Sequence, residues 1–159
     1  MNFAEPVRVL PDEAAVESFA AALAAVLPRP FVIYLSGDLG TGKTTFARAL
    51  IRSLGYRGRV KSPTYGLLES YRLPGRTVLH LDLYRIESPA EIEYLALPDL
   101  FGDDGLLLVE WPERGEGFLP APDLELRFDY DGAGRVVALS ARTGAARDRV
   151  RALQQGFDK

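Results

Sequence analysis

Residues 37–44 read Gly-Asp-Leu-Gly-Thr-Gly-Lys-Thr. This fits G-x-x-x-x-G-K-[ST], a spacing whose chemistry is the cradling of phosphates by backbone amides. The glycines let the chain curl so that successive N–H groups converge on phosphate oxygens, and a helix beginning at Lys43 adds the positive end of its dipole. Gly37, Asp38, Leu39, Gly40, Thr41, Gly42 and the following Thr45 are therefore candidate nucleotide contacts. Lys43 is placed to reach the β and γ phosphates, and the Thr44 hydroxyl to take one position of an octahedral Mg²⁺.

A nucleotide with Mg²⁺ calls for a carboxylate at the C-terminal end of a neighbouring buried strand. Two stretches offer one: "TVLHLDLY" carries Asp82, and "GLLLVE" ends on Glu110. Both stay open as the metal carboxylate. Residues 78, 80, 82 and 84 share one strand face, which puts His80 near Asp82; the single histidine reads as a packed core residue. Trp111, the only tryptophan, would point away from Glu110 if the strand continued, with packing under a loop and a functional contact about equally favoured. Thr64, in "KSPTY" after the phosphate-binding helix, is either a hydroxyl residue that senses the γ phosphate or a turn residue; both readings stay open.

The elements that must position these groups are legible. "FVIYLS" (31–36) is apolar at all but its last position, as expected of a strand covered on both faces in a parallel sheet. From Lys43 to Leu54, Phe46, Ala47, Leu50, Ile51 and Leu54 fall on one helical face, and Gly55 sits where a C-terminal cap belongs. Upstream, 7–10 is a short strand, followed by a helix with Asp12 as N-cap and Pro28 as a stop. Downstream, 65–73 and 76–84 read as two strands joined by a tight turn at Pro74-Gly75. Ser88, Pro89 and Glu91 form a capping-box start to a helix through "SPAEIEYLAL". Residues 105–110 form another buried strand. After a loop rich in glycine and proline, 123–130 and 135–141 alternate as an antiparallel hairpin with one solvated face around Asp131-Gly132, and a short helix spans about 145–153.

Composition narrows the classes. At 159 residues the chain fits one domain, 1–159, and 47% hydrophobic with 26% charged residues is ordinary for a soluble protein. No apolar run approaches the ~20 residues of a membrane span. Zero cysteines remove disulfides and thiolate chemistry, and with no export signal the cytoplasm is expected. A net charge of −3 argues against gripping nucleic acid through the overall field. The alternative to a hydrolase is a small-molecule or nucleoside P-loop kinase, but the arginines are scattered rather than gathered in one lid. A GTPase would carry an Asn-Lys-x-Asp guanine signature, which the sequence does not contain.

Taken together, "GDLGTGKTTFARAL", "VKSPTYGLLESY", "HLDLYRI" and "LLLVEWPERG", in this order, resemble the bacterial TsaE family, the small ATPases of tRNA threonylcarbamoyladenosine synthesis. The resemblance runs through residues 35–115, and Gly66 departs from it where many relatives carry a hydroxyl residue. It implies an α/β P-loop NTPase-type three-layer sandwich, with a mixed, mostly parallel sheet and an antiparallel hairpin near the C-terminus. It further implies Mg-ATP binding and slow hydrolysis, with Thr44 and Glu110 holding Mg²⁺. Thr64, Asp82, Trp111 and Tyr84 would belong to the sensing or partner-facing site, and Glu13, Gly134 and Arg135 would lie near the adenine. The implied partners are TsaB and TsaD, whose complex modifies adenosine 37 of tRNAs reading ANN codons. The ATP cycle would reset that complex, with tRNA involved only indirectly.

Overall fold

The computed structural model describes residues 5–63 and 66–157. Seven strands form one sheet: β1 (Val7–Leu10), β2 (Phe31–Ser36), β3 (Leu68–Leu73), β4 (Arg76–Asp82), β5 (Leu106–Glu110), β6 (Leu124–Asp131) and β7 (Gly134–Ala141). Their spatial order is β1-β7-β6-β2-β5-β4-β3. The four middle strands run parallel, β6-β2-β5-β4, while β3 closes one edge and β7 with β1 the other by antiparallel pairing. Parallel strands need both faces covered, and the all-apolar β2 at the centre meets that demand.

Side-chain alternation divides the core into two layers. Phe31, Ile33 and Leu35 of β2, Val78 of β4, and Leu106 and Leu108 of β5 face a cluster closed by α1 (Glu13–Ala24), α2 (Lys43–Ser53) and α4 (Gly144–Phe157). Phe46 of α2 sits at its middle, with its ring centroid 5.5 Å from those of both Phe19 and Phe128. Val32, Leu79, Leu81, Leu107 and Val109 face the opposite cluster, closed by a 3₁₀ helix (Pro89–Leu95), by α3 (Leu97–Phe101) and by Leu119. By the period of two, His80, Asp82 and Glu110 lie on the α2 side of the sheet.

Local chemistry sets the boundaries. The Asp12 carboxylate accepts from the Ala15 amide at 2.9 Å and caps α1. Gly55, at φ +109°, ends α2 in a left-handed turn that a side chain would resist. The Glu91 carboxylate accepts from the Ser88 and Glu87 amides at 2.9 and 3.0 Å. The helix expected there is a 3₁₀ turn rather than one continuous helix: Ala96 is left-handed at φ +52°, and Pro98 lacks the N–H that would extend the run. The first hairpin strand starts at Leu68 instead of residue 65, after a tight turn in which the Leu68 amide donates to the Gly66 carbonyl at 2.7 Å. β4 stops at Asp82, whose own carboxylate accepts from the Tyr84 amide at 3.0 Å and turns the chain. α4 is longer than read from sequence, with the Thr143 hydroxyl accepting from the Ala146 amide at 3.2 Å at its start.

Charge is distributed unevenly between the layers. Residues 39–68, which include α2, hold six basic residues and no carboxylate. Residues 86–120, which supply the opposite layer, hold one arginine and eight carboxylates besides Glu110, which faces the α2 side. Glu87, Glu93, Asp99, Asp103, Glu113 and Glu116 are exposed there, as are Arg52, Arg57, Arg59 and Lys61 on the other side.

Candidate functional site

The loop from Gly37 to Gly42 joins the C-terminal end of β2 to the first turn of α2. Gly37, Gly40 and Gly42 have φ of +134°, +79° and +102°. At Gly37 a Cβ would also collide with the Phe128 carbonyl of β6, so the residue type is fixed by space as well as by torsion. The Thr41 hydroxyl donates to the Asp38 carbonyl at 2.7 Å, tying the loop to itself from behind. Its tip is held from the C-terminal hairpin. The Tyr130 hydroxyl donates to the Leu39 carbonyl at 2.7 Å, and the Arg135 guanidinium donates to the Gly40 carbonyl at 3.0 Å while stacking 4.5 Å from the Tyr130 ring centroid.

Lys43 is 4% exposed, and its ammonium donates to the Gly37 carbonyl and, at 3.4 Å, to the Asp38 carbonyl. Burial pushes its pKa below the ordinary lysine value, opposed by the negative charges of Glu110, Glu113, Asp82 and Asp38. The same ammonium lies 3.7 Å from the centroid of the Trp111 ring. Trp111 reaches it because β5 ends at Glu110 and Trp111 adopts φ +59°, so the alternation that would have carried the indole away stops one residue earlier. Tyr84 packs against Trp111 at 5.1 Å between centroids, and Arg114 donates to the Tyr84 carbonyl at 2.7 Å while lying over both rings.

Glu110 is 2% exposed and has both oxygens engaged. Oε1 accepts from the Thr44 hydroxyl at 2.8 Å, and Oε2 is 2.7 Å from His80 Nε2. Asp82 is the register partner of Glu110 on β4, one strand over, and is 5% exposed. The two carboxylates that the sequence left as alternatives therefore stand side by side, and it is Glu110 that meets the threonine next to the phosphate-loop lysine. The His80 ring, on the same face of β4 as Asp82, hydrogen-bonds to Glu110.

A cleft of about 540 Å³ opens above these residues. Leu39, Gly40, Gly42, Lys43, Thr44, Thr45, Asp82, Tyr84, Glu110 and Trp111 line it, together with Glu13, Gly134 and Arg135, the residues expected at its far end. Gly37, Asp38 and Thr41 shape the loop without forming the cleft wall. Leu10, Pro11, Val16 and Ala133 add an apolar end that the sequence did not single out. Thr64 lies outside the described residues. Among the described residues, no three histidines or carboxylates gather into a metal cage, and no helix is long and apolar enough to cross a membrane.

Comparison with known proteins decides the family. The family model described as "Threonylcarbamoyl adenosine biosynthesis protein TsaE" matches residues 10–137. The chain belongs to the TsaE family. A relative called tRNA threonylcarbamoyladenosine biosynthesis protein TsaE in Haemophilus influenzae is 38% identical over 149 residues, covering 91% of this chain and 94% of that one. The protein of the same name in Rickettsia bellii is 40% identical over 119 residues, 74% of this chain and 82% of that one. The crystal structure of YdiB from Bacillus subtilis superposes with a TM-score of 0.78 over 99% of both chains at 23% identity, a likeness of fold. The TsaE model thus spans the phosphate loop, both strand-end carboxylates, Trp111 and Arg135, the groups that the fold brings to one cleft.

Proposed function

We propose that this TsaE-family chain binds Mg-ATP and hydrolyses it slowly as the ATPase of tRNA threonylcarbamoyladenosine formation. The observation that carries this reading is the 2.8 Å contact between the Thr44 hydroxyl and Glu110 Oε1, one residue from the buried phosphate-loop lysine. An all-oxygen pair of one hydroxyl and one carboxylate suits Mg²⁺, which dehydrates reluctantly and takes its remaining ligands from phosphates and water. The cation would neutralise charge developing on the phosphates.

The protein's own groups divide the remaining work. Amides of the Gly37–Gly42 loop bind phosphate oxygens, and Lys43 exchanges the Gly37 and Asp38 carbonyls for the β and γ phosphates. Asp82, beside Glu110, is the group to hold and orient a water for attack on the γ phosphorus. Thr64 is the candidate γ-phosphate sensor. The adenine lies toward Glu13, Gly134 and Arg135, at the apolar end of the cleft.

TsaB and TsaD are the partners in this reading, and hydrolysis resets their complex between rounds of threonylcarbamoyl transfer to adenosine 37 of tRNA in the cytoplasm. The test is reconstitution of tRNA modification with purified TsaB and TsaD under multiple-turnover conditions, with and without this protein. ATP consumption is followed in parallel. Modification that stops after about one round without the protein supports the reading; equal rates with and without it overturn it. Phosphate appearing on a small acceptor instead of in solution would identify a kinase.

A further inference from the structure

His80 is fully buried, at 0% exposure, and its Nε2 lies 2.7 Å from Glu110 Oε2. When Glu110 is ionised its carboxylate accepts, and the imidazole N–H that meets it is the one on Nε2. Nδ1 is buried on the other side of the ring, and no hydrogen-bond partner among the described residues meets it. A leucine would fill this position between apolar neighbours on β4 without leaving a nitrogen unsatisfied. The histidine is explained by what it does to Glu110.

With Oε2 occupied by the imidazole N–H, Glu110 presents a single oxygen, Oε1, on the Thr44 side. Ca²⁺ takes six to eight oxygens at longer distances and commonly engages a carboxylate through both of its oxygens, whereas Mg²⁺ accepts one oxygen per carboxylate in a strict octahedron. We propose that His80 is a specificity-determining residue that makes Glu110 a one-oxygen ligand and so favours Mg²⁺ over Ca²⁺ at the nucleotide site. The inference rests on the Mg-ATP reading of the cleft. His80 acts through Glu110 and is a positioning residue, comparable to the hydrogen-bonded outer partners that orient ligands at metal sites generally.

Its test is calorimetric titration of the full chain with a non-hydrolysable ATP analogue in Mg²⁺, in Ca²⁺ and in chelator. In the wild type, affinity is expected to be higher with Mg²⁺ than with Ca²⁺ by about tenfold, and lowest in chelator. His80→Leu frees Oε2 and should shrink the Mg²⁺/Ca²⁺ ratio several-fold. His80→Gln, whose amide nitrogen can reach the Nε2 position, should restore it. His80→Asn, whose amide falls short of Glu110, should behave like the leucine variant and serves in its place if that variant fails to fold. A general packing defect would lower affinity for both cations and leave the ratio alone. A wild-type preference for Mg²⁺ that survives unchanged in the leucine or asparagine variant overturns the role of His80. Wild-type affinity indifferent to either cation overturns the Mg-ATP reading itself.

Discussion

The Lys43 ammonium lies 3.7 Å from the centre of the Trp111 ring, so the chain's single tryptophan is in contact with its phosphate-loop lysine. A cation over an indole face gains about 0.5–2 kcal/mol, more as water is removed. On the proposed Mg-ATP reading, Lys43 would leave its carbonyl partners for phosphate, and the indole would hold it at the mouth of the loop while it does. Nucleotide addition is therefore expected to change tryptophan emission at one site. A wild-type spectrum unmoved by saturating ATP analogue would separate Trp111 from the binding event.

Replacing Lys43 by alanine removes the charge that, on the proposed reading, the loop directs at the β and γ phosphates. Phosphate release should fall by about 10²-fold or more, since electrostatic clamps of this kind are worth several kcal/mol in phosphoryl transfer. Steady-state assay of inorganic phosphate decides it, and normal turnover would detach the Gly37–Thr44 loop from catalysis.

Glu110→Ala deletes the carboxylate that meets both Thr44 and His80. Metal-dependent hydrolysis should drop by about 10²-fold or more, while much of the nucleotide affinity supplied by the loop amides remains. Parallel measurement of turnover and analogue binding separates the two. An unchanged rate would pass the metal to Asp82, its neighbour on β4.

The loop tip is held by two side chains of the C-terminal hairpin, Tyr130 on the Leu39 carbonyl and Arg135 on the Gly40 carbonyl. Each such bond is worth about 0.5–1.5 kcal/mol net. The two bonds together are worth about 1–3 kcal/mol, so the Tyr130→Phe, Arg135→Ala double variant should bind ATP analogue weaker by about five- to 150-fold, with its melting temperature lowered by about 10 °C or less. Equal affinity would show that the hairpin leaves the loop's conformation unaffected.

Tyr71 is 3% exposed, and its hydroxyl donates to the Lys61 carbonyl at 3.1 Å and accepts from the Lys61 amide at 3.0 Å. Burial raises its pKa above the ordinary value of 10.0. The folded state thus prefers the neutral phenol, and the stability it contributes is present below pH 10 and lost as pH climbs past the unfolded pKa toward the folded one. Tyr71→Phe should cost about 0.5–1.5 kcal/mol near neutral pH. Denaturant titrations at pH 8 and pH 11 should show this gap narrowing; a gap that widens would reverse the sign.

Much of this was legible in the residues because it is local. The all-apolar Phe31–Ser36 run, the glycine spacing, the Asp12 cap and the strand-end position of Glu110 depend on neighbours a few positions away. What was not legible depends on which strands lie beside each other. His80 meets Glu110 because β4 is parallel to β5 in the register that pairs Asp82 with Glu110, and no local pattern encodes that register. Tyr130 and Arg135 reach the loop because β6 lies against β2, and β1 finds β7 across the whole chain. Trp111 stayed open for a different reason: the strand ends at Glu110 as read, but the single left-handed residue that then re-aims the indole has no local signature.

The uneven charge of the two layers carries a kinetic consequence. With basic residues gathered along 39–68 and carboxylates along 86–120, the charge of the molecule is separated between its two layers although the net is only −3. A charged partner approaching through dilute salt meets a torque before it meets a surface, so collisions arrive already turned toward one layer. Raising the ionic strength to about 1 M shortens that reach to about 3 Å and makes the same encounter a matter of random orientation.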